Sequence, residues 1–163
     1  MNKNIDILGC LFIVLVLILS FNLYHYSDGL QLVCVISDVD GNRYCVRDDQ
    51  KVKESADLLA SVTTKCKTLV SHLKNKYNES DDRVNRLDKN FDPKKVYEIL
   101  PTSSYTAYSE NKGEKLAFCL NTTKKGNEAI DENTLTFVAL HELSHIASKS
   151  IGHTEEFWRN FKF

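Results

Sequence analysis

The sequence predicts an α+β fold, a small β-sheet with several helices, behind one N-terminal transmembrane helix. Three observations predict it. An almost wholly apolar run, Ile7 to Leu23, opens the chain. Two strand-forming stretches are broken by the turn signals Asp40-Gly41-Asn42 and Asn111-Lys112-Gly113. Apolar residues recur at three- and four-residue spacing from Val52 to Tyr77 and again around His141-Glu142-Leu143-Ser144-His145. A length of 163 residues suits one domain, residues 26–163, and an appendage, residues 1–25.

Ile7 to Leu23 is interrupted only by Gly9, Cys10, Ser20 and Asn22. As a helix it is about 25 Å long, against a hydrocarbon core of about 30 Å. A signal anchor, a cleaved signal peptide and a buried core helix are the candidates. The run is long for a core helix, and Ser20-Phe21-Asn22 lacks the small residues of a cleavage site, so an uncleaved anchor is expected. Lys3 precedes the run and Arg43 is the first basic side chain after it. The positive-inside rule then puts the C-terminal domain in a lumen or outside the cell.

Leu30 to Asp48 reads as a hairpin, with Leu32, Val33, Val35 and Ile36 on one strand and Tyr44, Cys45 and Val46 on the other. From Val52 to Tyr77, Ala56, Leu59, Val62, Cys66, Leu69 and Leu73 share one face, as in a helix packed on a core. Asn78 to Asp82 is a polar link. Arg83 to Asn90 suits a short helix with Val84 and Leu87 inward, stopped before Pro93. Val96 to Leu100 reads as a strand ended by Pro101. Tyr105 to Ser109 and Lys115 to Leu120 make a second hairpin, and Asn121 to Ala129, with Lys124-Lys125-Gly126, is a polar loop.

Formal net charge is −1, and residues 1–25 contribute one Lys and one Asp, so the remainder also carries −1. Such a chain has no electrostatic footprint for nucleic acid, and no such partner is expected. Beyond Cys10, the four cysteines Cys34, Cys45, Cys66 and Cys119 suit either two disulfides in an oxidising compartment or four buried thiols. The lack of a C-x-x-C pair argues against a thiolate metal site. Asn78-Glu79-Ser80 and Asn121-Thr122-Thr123 are glycosylation sequons if the domain is lumenal.

The chemistry concentrates at His141 and His145. Four apart on a helix, they lie on one face, one turn apart, with Glu142 between them. This is the HExxH pattern, in which two imidazoles bind Zn²⁺ and the glutamate serves as general base. Asp131, Glu132, Asn133 and Thr134 supply caps and negative charge at the helix start. A catalytic zinc takes three protein ligands. His153 is the expected third, because Gly152 before it tolerates a left-handed turn that brings the chain back after the helix ends near Ser148 to Ser150. Glu155 and Glu156 are the runners-up.

His141-Glu142-Leu143-Ser144-His145 followed by Gly152-His153-Thr154-Glu155-Glu156-Phe157-Trp158 resembles the WLM and SprT-like zinc metallopeptidases, and more tightly the small membrane-anchored WLM-like proteins of large DNA viruses. The likeness covers Leu135 to Phe163, and more loosely back to the hairpin near Cys34. Those relatives usually continue through a longer terminal helix. The resemblance implies a zincin-like domain whose edge strand above the metal pairs with an extended peptide substrate, and Lys115 to Leu120 is the candidate strand. An ordinary internal strand is the alternative. Tyr105 and Tyr108 are available to assist an oxyanion.

The expected function is therefore membrane-anchored, zinc-dependent peptide hydrolysis, with His141, His145 and His153 holding Zn²⁺ and Glu142 moving the proton. The partners would be a protein or peptide substrate and a membrane. The competing expectation is a non-catalytic viral or envelope membrane protein, virion-associated, whose zinc site is structural.

Overall fold

Both turn signals close hairpins. Gly41 takes φ 70°, and Asn111, Lys112 and Gly113 take 46°, 60° and 112°, the left-handed values that tight hairpin turns require. The computed structural model describes residues 3–28, 32–77, 80–123 and 128–163, with side chains in the first segment only for 9–22. Its elements are α1 (Lys3–Asp28), β1 (Leu32–Ile36), β2 (Arg43–Arg47), α2 (Val52–Tyr77), α3 (Asp82–Asn90), β3 (Val96–Glu98), β4 (Ala107–Glu110), β5 (Lys115–Phe118), α4 (Glu132–Ala147) and α5 (Glu155–Phe161).

The strands form one mixed sheet in the order β1-β2-β3-β5-β4. The two hairpins are its antiparallel ends, and β3 lies parallel to both β2 and β5. Parallel neighbours need a crossover, which α2 and α3 provide between β2 and β3. β2 and β3 meet at one registered pair, Cys45 opposite Tyr97. A buried ion pair reinforces that seam: Arg47 Nε lies 3.1 Å from Glu98 Oε1, and the Arg47 amide donates to Glu98 Oε2 at 2.8 Å.

The core lies between the sheet and the helices. Leu59, Val62 and Cys66 of α2 pack with Val46 of β2, Leu116 and Phe118 of β5, and Leu135, Ala139, Leu143 and Ile146 of α4. The three- and four-residue spacing seen in the sequence is thus the spacing of buried contacts, each large side chain worth about 1.5–3 kcal/mol removed from water. Gly113 marks a close approach: a Cβ there would lie 2.6 Å from the Asn90 carbonyl oxygen at the end of α3. The turn leading out of β4 is therefore fixed against α3.

Three expectations are corrected. Among the described residues no helix is long and apolar enough to cross a membrane. The expected transmembrane helix, the single-pass localisation and the lumenal or extracellular placement that rested on it are not supported. The side chains of Ile7, Leu8 and Leu23 at the ends of the apolar run, Asn78-Glu79 of the first sequon and Lys124-Lys125-Gly126 lie outside what is described.

The second correction concerns the sheet. β5, at Lys115–Phe118, is internal, and β4 forms the edge. Both of its edges are paired, because β3 inserts beside it opposite β4, a pairing that no local signal announces. The third concerns the cysteines. Cys34 and Cys45 are bonded across directly opposed positions of β1 and β2, while Cys66 and Cys119 are free and buried. Burial pushes the Cys66 thiol up to about 12, which leaves it a small hydrophobe.

Candidate metal centre

The helix that carries the motif begins and ends on side-chain caps. Asp131 Oδ1 accepts from the amides of Asn133 and Thr134, both at 3.0 Å, meeting two of the donors that a helix start leaves unpaired. Glu132 ties that end to α2 through Lys65 at 2.8 Å and Ser61 at 2.5 Å. With Leu135, Ala139, Leu143 and Ile146 buried, the register turns Phe137, His141 and His145 toward the open face.

At its other end α4 stops at Ala147, and the next few residues are held by their backbone. Lys112 Nζ, reaching in from the β4–β5 turn, donates to the carbonyls of His145, Ser148 and Ser150 at 3.2, 2.9 and 2.5 Å. Arg86 of α3 donates to the Ala147 carbonyl at 2.7 Å. From α5, the Glu156 carboxylate accepts from the amides of Lys149 and Ser150, both at 2.9 Å. Asn160 Nδ2 donates to Ser148 Oγ at 2.7 Å. Gly152 then turns the chain with φ 82°. The cations satisfy carbonyls at a helix C-terminus, where the dipole also favours positive charge.

This clamp delivers His153 to the other two imidazoles. His141 Nε2 lies 3.2 Å from His145 Nε2 and 2.9 Å from His153 Nε2, and one ligand atom from each residue falls within 4.8 Å of the others. Adjacent ligands of a tetrahedral zinc stand about 3.3 Å apart. Hydrogen bonding among the rings does not account for the grouping, because a neutral His141 Nε2 offers either one proton or one lone pair to two neighbours. The residues therefore fit a metal ion. Burial pulls the His141 pKa down, with His153 adding to it, and pushes His145 down to about 4, reinforced by His141, His153 and Lys112. Neutral imidazole is the form that binds metal.

Glu142 is buried, yet it lines the same cleft as the triad, a space of about 650 Å³ walled by β4 and the residues before His153. Burial raises its carboxyl to about 7, against the opposing hydrogen bond from the Ser109 amide of β4. All four residues singled out by the motif thus come together. Glu155 and Glu156 do not join them, Glu156 being engaged with backbone amides. Tyr105 and Tyr108 both line the cleft, Tyr105 with most of its surface exposed.

Sequence reasoning missed Lys112 and Arg86, whose targets lie 33–38 and 61 residues away and leave no local trace. It also missed α5. Thr154 followed by Glu155-Glu156 carries a legible helix start, a capping hydroxyl and an acidic first turn, and Thr154 Oγ1 does accept from the Phe157 amide at 3.4 Å.

The fold and the site define a small mixed α/β domain with three histidines grouped on one helix and the loop beyond it. Over 132 residues the chain is 30% identical to a protein of Acanthamoeba polyphaga mimivirus described as uncharacterized. The matched region is 79% of this chain and 66% of that protein, so the chain spans just under two thirds of the relative's length. No protein-family model and no solved structure matches the chain.

Two predictions follow from the clamp. Replacing Lys112 by Met removes the donor to three carbonyls while keeping the aliphatic stem. Zinc affinity, measured by competition with a chromophoric chelator, should fall roughly 10–100-fold, the usual effect of losing a group that orients ligands, with the far-ultraviolet circular dichroism unchanged. The second concerns Glu156, whose carboxyl is held at about 2 by the amides of Lys149 and Ser150. A carboxyl depressed on folding stabilises the fold above its ordinary value of 4.5 and loses that contribution as pH falls toward about 2. The difference in melting temperature between wild type and Glu156→Gln should therefore be full at neutral pH and shrink steadily below pH 4.5.

Proposed function

We propose that the chain is a zinc-dependent metallopeptidase whose ligands are His141, His145 and His153 and whose general base is Glu142. One observation carries this reading: a buried carboxylate faces the same cleft as three converging imidazoles, beside the free edge of a sheet. A zinc ion held there would supply a Lewis acid that polarises a carbonyl and acidifies a water.

The chain's own groups divide the rest of the task. No strand pairs with the outer side of β4 among the described residues, and an extended peptide can add there as a further strand, which would lay its scissile bond across the cleft. Glu142 takes the proton of the attacking water and returns it to the leaving amine. Burial raises its carboxyl above the ordinary carboxylate range, the direction that lets it hold a proton near neutrality. Ser109 lies beside that carboxylate in the cleft lining, so the strand proposed to receive substrate also borders the base.

The likeness of His141 to His145 and of Gly152 to Trp158 to the WLM and SprT-like enzymes supports the same reading. A viral setting accords with the mimivirus relative, whose description names no activity. A purely structural ion would need the three histidines but would have no use for Glu142, so Glu142 decides between them. Glu142→Gln keeps the shape and cannot take the proton. It should retain zinc and lose at least about a hundredfold in hydrolysis of a diverse peptide library, since general base catalysis contributes about 10²–10⁴-fold. Equal cleavage by the variant, or no cleavage by fully loaded wild type, would refute the enzyme reading.

A further inference from the structure

One side of the triad is walled by aromatic side chains that the hydrolytic reading leaves without a task. Phe137 lies one turn before His141 on the same face of α4 and is 59% exposed. Its ring meets Phe161 edge-on at 5.3 Å. Phe161 lies 5.8 Å from the His141 ring and 6.2 Å from Trp158. Trp158, 47% exposed, lies 6.0 Å from His153. Phe137, Phe161 and Trp158 thus form a shelf that begins at one candidate ligand and ends at another.

The shelf is anchored to the triad. Phe161 stacks at 5.9 Å on Phe157, which is fully buried and whose ring lies 4.8, 4.3 and 4.8 Å from those of His141, His145 and His153. Whatever positions the imidazoles therefore positions the shelf. Exposed aromatic surface costs free energy, and grouped against His141 and His153, two residues that line the cleft, it marks a recognition surface. Edge-to-face and offset contacts between rings give such a surface a preference for another ring. The occupant must also lie against His141 and His153, which line the cleft. A side chain of a peptide already bound across the cleft meets that condition.

We propose that this shelf receives a large apolar side chain, an aromatic one by preference, from the peptide bound at the triad, and so sets the substrate class. The inference rests on the hydrolase reading and deepens it. Trp158 is the one tryptophan of the chain, so its fluorescence reports on the shelf directly. The full-length Glu142→Gln protein, loaded with zinc so that no peptide is consumed, would be titrated with a blocked Gly-Gly-Phe-Gly-Gly peptide and with its analogue carrying Ala for Phe. The Phe peptide should shift the emission saturably and bind at least about tenfold more tightly, and Phe137→Ser should abolish most of that advantage. Equal affinities without an emission change would overturn the proposal, on the unaltered shelf and whatever the variant does. So would a sedimenting dimer that dissociates on Phe137→Ser, which would give the shelf to a second copy. Because the readout is binding by a protein that cannot hydrolyse, a wild type that cleaves nothing would defeat the hydrolase reading separately, without deciding the shelf.

Discussion

An α-helix can present two imidazoles to one point, at i and i+4, but the third must come from outside it. That constraint shapes the whole C-terminal part of the chain. The helix has to stop within one turn of His145, and the following residues have to return His153 to His141. Fixing an irregular segment costs about 1–2 kcal/mol per residue in lost backbone freedom. The chain meets the cost with charged side chains aimed at backbone groups. Lys112 takes three carbonyls, Arg86 a fourth, and Glu156 two amides. Hydrogen bonds with one ionised partner are stronger than neutral ones.

The same contacts link parts of the site that are distant in sequence. Lys112 belongs to the turn out of β4, the edge strand, and Gly113 beside it is pressed against the end of α3. Arg86 comes from α3 itself. The strand proposed to receive substrate and the loop that delivers His153 are therefore held by one set of contacts. A shift of the β4–β5 turn would move the edge strand and the third imidazole together. The aromatic rings of α5 join this unit through Phe157, whose ring touches all three imidazoles.

Local signals made much of this legible. The His141-Glu142-x-x-His145 spacing, the Asp131 cap, both hairpin turns and the ends of the helix over Val52–Tyr77 all depend on residues within a few positions of one another, and the fold places them as expected. His153 was legible through Gly152, whose backbone freedom the turn does use. What escaped was non-local. The edge position of β4 depends on β3 entering between β2 and β5. The clamp joins residues dozens of positions apart. An even cysteine count says nothing of pairing, which the opposition of Cys34 and Cys45 decides. Glu156 was weighed as a ligand because its acidity was legible and its direction was not. The apolar run near the N-terminus was read from composition, whereas among the described residues no helix is long and apolar enough to cross a membrane.

The central claim is that three imidazoles, placed by a backbone clamp, hold one zinc ion. X-ray absorption at the zinc edge, on the full-length protein loaded with one equivalent, tests it most directly. The account predicts a four-coordinate spectrum with nitrogen and oxygen neighbours at about 2.0–2.1 Å and the outer-shell scattering of three imidazole rings. Sulfur neighbours at about 2.3 Å, or fewer than three imidazoles around the ion, would contradict it.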